Sequence, residues 1–256
     1  MQDFRAMKRR GEAITALTAY DYPTARLVDE AGIDIILVGD SLGMVVLGYQ
    51  DTTEVTVDEM VHHTRAVARA VKRATLVADI PIHSYDTPDA ALKTARALVA
   101  AGAQAVKLEG GVNRVRQIEA IVGAGIPLMA HIGMLPQNVR IEGGYKLKGR
   151  TQAEADVLLR DGEAVQSAGA FAVVLEIVAA ETARQITDTL EIPTIGIGSG
   201  ESCDGQILVT HDLIGLYPWF VPKFVKQEAD VASEIRKAAA AYIERTRAQR
   251  HLSAQV

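Results

Sequence analysis

A chain of 256 residues with 48% hydrophobic and 5% aromatic residues can bury a full core, and its 21 glycines beside abundant Ala, Val, Ile and Leu give the small, branched mixture that α/β interiors pack well. A net charge of −5 and a pI near 5.7 leave no basic field to hold a nucleic-acid backbone or an anionic membrane surface. One cysteine, Cys203, excludes an internal disulfide, no apolar run reaches the roughly 18–20 residues that cross a bilayer, and no charged leader precedes an apolar stretch, so a soluble, cytoplasmic protein is expected.

From residue 14 onward, short apolar runs alternate with segments of helical period. Eight runs read as strands: Ile14–Thr18, Ile33–Gly39, Thr75–Asp79, Ala105–Glu109, Pro127–His131, Ala172–Glu176, Thr194–Gly198 and Gln206–Val209. Each is continuously hydrophobic rather than alternating, as expected of parallel strands covered on both faces. Between them, Thr56 with Glu59 makes a capping-box pattern and Thr87-Pro88 an N-cap followed by proline, both marking helix starts. Gly32, Gly102, Gly125 and Gly169 follow amphipathic stretches where a left-handed cap ends a helix. The rhythm runs without a Pro-, Ser- or Gly-rich linker to a last long helix near 227–246. The expectation is an α/β fold, a single (β/α)8 TIM barrel over residues 1–256, with 1–12 as a lead-in and 247–256 as a frayed tail. An open doubly wound sheet is the alternative, since periodicity does not report closure. The connections 40–55, 132–150 and 199–205 are long and mark the functional rim.

Three runs end in an acid, Asp79, Glu109 and Glu176, and Asp40 directly follows a fourth. Carboxylates converging on one rim raise one another's pKa unless a cation compensates, so a divalent metal is expected, and all-oxygen donors favour Mg2+ over softer ions. Any one of these acids alone reads equally well as a helix cap or a solvated loop residue. Lys107 alternates with Glu109 and shares its face, where it serves as a structural ion pair or as a contact for a substrate carboxylate or carbonyl. His131 stands at a strand end as an acid, a substrate donor or a satisfied core histidine. His62 and His63 read as structural or surface groups, the glycines of 196–200 as a tight turn, and Cys203 as structural.

The segments Thr18-Ala19-Tyr20-Asp21, Val38-Gly39-Asp40-Ser41-Leu42-Gly43-Met44, Val106-Lys107-Leu108-Glu109-Gly110-Gly111, Gly143-Gly144-Tyr145-Lys146 and Cys203-Asp204-Gly205-Gln206 together resemble the 3-methyl-2-oxobutanoate (ketopantoate) hydroxymethyltransferase family, over about residues 4–246. The resemblance implies transfer of a hydroxymethyl group from 5,10-methylenetetrahydrofolate to 3-methyl-2-oxobutanoate through a metal-stabilised enolate, giving 2-dehydropantoate in pantothenate synthesis. It implies Mg2+ or another divalent ion on Asp40, Asp79 and Glu109, oxo-acid contacts from Asp40, Ser41, Asp79 and Lys107, and Glu176 as catalytic acid/base. A barrel of the phosphoenolpyruvate/isocitrate-lyase type and a homodecamer of two pentamers follow from the same resemblance, with no nucleic-acid or membrane partner; no folate-binding residue is assigned. Leu135, His83 and Ser199 depart from the family pattern without touching the matched acids. A related Mg2+-dependent oxo-acid lyase or mutase is the closest rival, disfavoured because His131-Ile132-Gly133-Met134-Leu135-Pro136 holds no cysteine. A non-catalytic metal- or metabolite-binding barrel is disfavoured because all four acids are present.

Overall fold

The structure, a computed structural model, describes residues 2–253. Its elements run α1 (Phe4–Arg10), β1 (Ile14–Thr18), α2 (Tyr22–Glu30), β2 (Ile35–Val38), α3 (Leu42–Val45), α4 (Val57–Ala68), β3 (Thr75–Asp79), α5 (Pro88–Ala100), β4 (Ala105–Glu109), α6 (Val115–Gly123), β5 (Leu128–Gly133), α7 (Val139–Glu142), α8 (Gln152–Ser167), β6 (Ala172–Glu176), α9 (Ala180–Thr189), β7 (Thr194–Ile197), β8 (Gly205–Leu208), α10 (Thr210–Leu213) and α11 (Val231–Ser253). The strands pair in chain order, all parallel, and β8 pairs with β1 to close the barrel. The expected (β/α)8 barrel is therefore present, and the open-sheet alternative falls.

All eight expected strands occur: β1, β3, β4 and β6 with the expected bounds, and the other four shifted by a residue or two at their ends. The ladder of β5 begins at Leu128 and not at Pro127, whose nitrogen carries no hydrogen to donate. The capping box of Thr56 and Glu59 and the Thr87 cap both form, and the four glycines expected at helix ends all have positive φ.

Two apolar layers follow from the two-residue period of the strands. Ile14, Ala16, Ile35, Leu37, Val77, Ala105, Met129, Ala172, Val174, Ile195 and Ile207 make one buried cluster, the barrel interior. Their alternates, such as Ile36, Val38, Leu76, Val106, Leu108, Leu128, Val173 and Leu175, make the second with the helices. Phe4 of α1 joins the interior cluster and stacks on Phe171 with ring centroids 5.9 Å apart.

The chain forms two compact units, Met1–Leu208 and Val209–Val256. The first holds the barrel. The second holds α10 and α11, the latter starting where the Asp230 carboxylate accepts the Ser233 N–H at 3.1 Å. Helix α11 continues through the expected tail as far as Ser253, and positions 254–256 of that tail lie outside the described residues, as does Met1 of the lead-in. Among the described residues, no helix is long and apolar enough to cross a membrane.

Candidate active site

The inward rows that pack the barrel interior change character at the carboxyl ends of the strands. On β3 the inner row runs Val77 then Asp79, on β4 Ala105, Lys107, Glu109, on β5 Met129 then His131, and on β6 Ala172, Val174, Glu176. Strand register places Asp79 beside Lys107 and Glu109 beside His131. Apolar residues fill the barrel to mid-height and titratable groups cap it at the face where barrel enzymes work.

Distances bind these groups into one cluster. Lys107 Nζ lies 2.8 Å from Asp79 Oδ1 and 3.9 Å from Glu109 Oε1. His131 Nδ1 lies 3.3 Å from Glu109 Oε1, and its Nε2 lies 3.2 Å from Glu176 Oε2. The Asp40 N–H donates to Asp79 Oδ2 at 3.0 Å. Asp40, Asp79, Lys107, Glu109 and His131 are each no more than 5% exposed.

Burial and like charge push the Asp40 carboxyl well above its usual range, with Asp79 and Glu109 as the repelling neighbours. Asp79 is also raised by burial, although Lys107 opposes this. Burial would raise Glu109 too, but the positive His131 and Lys107 and the Gln137 N–H bring it below its ordinary value. His131 is pushed up to about 9: burial and Lys107 favour the neutral ring, and Glu109 and Glu176, flanking its two nitrogens, outweigh them. Lys107 is raised despite burial because three carboxylates surround it.

Four carboxylates face two cationic side chains here, an excess of two negative charges when all are ionised. Oδ1 of Asp79 and Oε1 of Glu109 are buried without a well-aligned hydrogen bond. That donor set of hard carboxylate oxygens, with spare charge for a divalent ion, fits the expected metal. Among the described residues, no group of three or more His, Cys, Asp and Glu side chains stands arranged around one ion-sized point, so Asp40, Asp79 and Glu109 are brought into one cluster but not into a finished cage.

Ser41 joins the cluster from the turn after β2, its hydroxyl 2.8 Å from that of Tyr20. A Cβ at Gly39 would lie 2.8 Å from Ser41 Oγ, so a larger residue there would displace the serine hydroxyl. After β6, Ile177 takes φ +48°, a costly conformation for a β-branched residue. The turn is held by the Ile177 N–H to the Ile197 carbonyl at 2.9 Å, the Val178 N–H to Ser199 Oγ at 2.9 Å, and the Met134 N–H to the Glu176 carbonyl at 2.8 Å. Strain is thus spent at the residue that follows Glu176.

Every sequence-predicted site residue reaches this rim. Of the open readings, His131 is a cluster member rather than an isolated core histidine; His63 is tied by its Nδ1 to the Tyr20 carbonyl at 2.6 Å; and burial raises the Cys203 thiol. The sequence gives no role to Gln137 or Tyr85, both buried at the rim. Their one signal is position: Gln137 lies on a long connection that follows a strand, and Tyr85 on a second rim loop. The long connections after β2 and β5 are themselves joined, because Arg140 reaches Asp51 at 2.6 Å and Glu54 at 3.0 Å.

A family profile described as ketopantoate hydroxymethyltransferase matches residues 1–252. The 3-methyl-2-oxobutanoate hydroxymethyltransferase of Moorella thermoacetica is 55% identical over 91% of this chain and 87% of its own. That of Enterococcus faecalis is 53% identical over 94% of this chain and 88% of its own. Among solved structures, a 2,3-dimethylmalate lyase of the PEP mutase/isocitrate lyase superfamily superposes with a TM-score of 0.60 at 21% identity, over 80% of this chain and 78% of that one. That likeness is one of barrel fold, and the chain belongs to the ketopantoate hydroxymethyltransferase family, as an enzyme of the hydroxymethyltransferase class.

Proposed function

We propose that this enzyme transfers a hydroxymethyl group from 5,10-methylenetetrahydrofolate to 3-methyl-2-oxobutanoate, giving 2-dehydropantoate for pantothenate and coenzyme A synthesis. The observation that carries the reading is the buried assembly of Asp40, Asp79 and Glu109 around Lys107, with Glu176 tied to it through His131. Asp40, Asp79 and Glu109 would hold a divalent cation, Mg2+ or a similar hard ion, which would supply Lewis acidity to polarise the substrate carbonyl and acidify its C3 proton.

The side chains do the rest. Lys107 and Ser41 are preorganised donors for the substrate carboxylate and for negative charge that develops on the keto oxygen, and Tyr20 fixes the direction of the serine hydroxyl. Asp40 and Asp79 complete the oxo-acid contacts. Glu176 stands on the far side of His131 from Glu109, where its carboxylate moves a proton while the imidazole holds one oxygen in place. Self-association belongs to the same reading: Trp219, Phe220 and Tyr242 of the second unit are 77%, 57% and 61% exposed, apolar surface that copies of this chain would cover in a decamer.

The test is condensation of the two substrates by wild type, Asp40→Ala and Glu176→Gln, after chelation and after Mg2+ is restored. Turnover that needs metal and is lost in both variants supports the reading. Metal-dependent exchange of the C3 proton with solvent deuterium, without condensation, would keep the enolising site and remove the folate. Neither reaction in wild type would remove both.

A further inference from the structure

Gln137 engages its backbone N–H and both ends of its side-chain amide at the rim. Its backbone N–H donates to Glu109 Oε2 at 3.1 Å, and its Nε2 donates to Asp40 Oδ2 at 2.8 Å and to the Ile80 carbonyl at 3.0 Å. Its Oε1 accepts the Tyr85 hydroxyl, and the Arg114 guanidinium lies 4.9 Å above the centre of the Tyr85 ring. A primary amide has two N–H donors and one carbonyl, and all are engaged here on a residue 3% exposed. The pattern also fixes which end of the amide is which, since the Ile80 carbonyl can only accept and Tyr85 donates into Oε1.

One uncharged residue thus joins acids from β2 and β4 and the backbone leaving β3, while it occupies one oxygen of each carboxylate and leaves the other. We infer that Gln137 is a positioning residue that sets Asp40 and Glu109 relative to each other for binding a divalent cation, with Tyr85 orienting its amide; this rests on the assignment of those acids under the proposed function. The chemistry favours a neutral donor. A glutamate here would add a further negative charge to the cluster, and a lysine would stand in for the cation itself.

Calorimetric titration of the full-length enzyme with Mn2+ tests this without turnover. Gln137→Met keeps length and volume and deletes only the side-chain bonds, and loss of such an outer partner weakens metal binding about 10–100-fold. Tyr85→Phe, which removes a single donor, gives a smaller loss in the same direction. For Gln137→Met, saturating Mn2+ restores most of kcat while KM for the oxo acid stays raised, a split that a general loss of folding would not give. A folded Gln137→Met variant that binds Mn2+ as tightly as wild type overturns the inference. If that variant does not fold, wild-type affinity in Tyr85→Phe overturns it instead. A wild type that binds no Mn2+ is a distinct outcome: the assignment of the acids then fails, and this inference with it.

Discussion

Lys107 Nζ and Asp79 Oδ1 lie 2.8 Å apart, side by side on neighbouring strands, with both side chains at most 6% exposed. Removing one partner of a buried pair leaves the other charge uncompensated at a cost of about 3–5 kcal/mol, so Lys107→Met is expected to lose that much stability as well as turnover. Urea denaturation of both proteins measures it; equal midpoints would mean that the pair contributes nothing to folding.

Glu176 is separated from the acid cluster by the His131 ring, which touches it at 3.2 Å. Loss of a general acid/base costs about 10²–10⁴ in rate, and Glu176→Gln is therefore expected to lower kcat by at least a hundredfold or so. Its Mn2+ affinity should remain near that of wild type, because the residue is not among the proposed ligands. A large fall in metal affinity would assign Glu176 to the metal shell instead.

The Ser199 hydroxyl both accepts the Val178 N–H at 2.9 Å and donates to the Leu175 carbonyl at 2.7 Å. Ser199→Ala leaves a buried N–H unpaired beside the strained Ile177, which costs about 1–3 kcal/mol. The expected result is a lower melting temperature and a kcat that falls more than KM rises, as Glu176 loses its fixed backbone. An unchanged melting temperature would show that the turn is held without the serine.

Asp29 sits in the last turn of α2, where the helix dipole disfavours an acid, because its oxygens accept the N–H groups of Ala74, Lys72 and Arg73 at 2.8, 2.9 and 3.0 Å. Burial opposes ionisation, but those three donors bring its carboxyl below the ordinary 3.8. A depressed folded-state pKa contributes stability that is present above the ordinary value and is lost as pH falls through the folded one. Asp29→Ala should therefore cost about 1–3 kcal/mol at pH 7, with the gap to wild type narrowing below pH 3.8, as followed by denaturation at several pH values. A gap that is constant with pH would remove the charge from the explanation.

The strands were legible because buried parallel strands are written as short, wholly apolar runs, and the sharing of one face by Lys107 and Glu109 follows from a period of two. The acids were legible because a charge at the end of such a run breaks its pattern. His131 could not be settled from the sequence, since its role depends on β4–β5 register, which brings Glu109 to one side of it, and on β5–β6 packing, which brings Glu176 to the other. Gln137 and Tyr85 were silent for a related reason. A neutral side chain on a loop leaves no mark in composition or period, and its partners lie 97 and 52 residues away in the chain.

The pairing of β1 with β8 brings Ile14 alongside Gly205, so closely that a Cβ on that glycine would come within 2.3 Å of the Ile14 carbonyl oxygen. During synthesis the first strand therefore waits until nearly two hundred further residues have emerged before its second neighbour exists. Until then both ends of the growing sheet are bare edges, open to other nascent chains. Such distant pairing folds slowly, and the time at risk of aggregation is set by how late β8 is made.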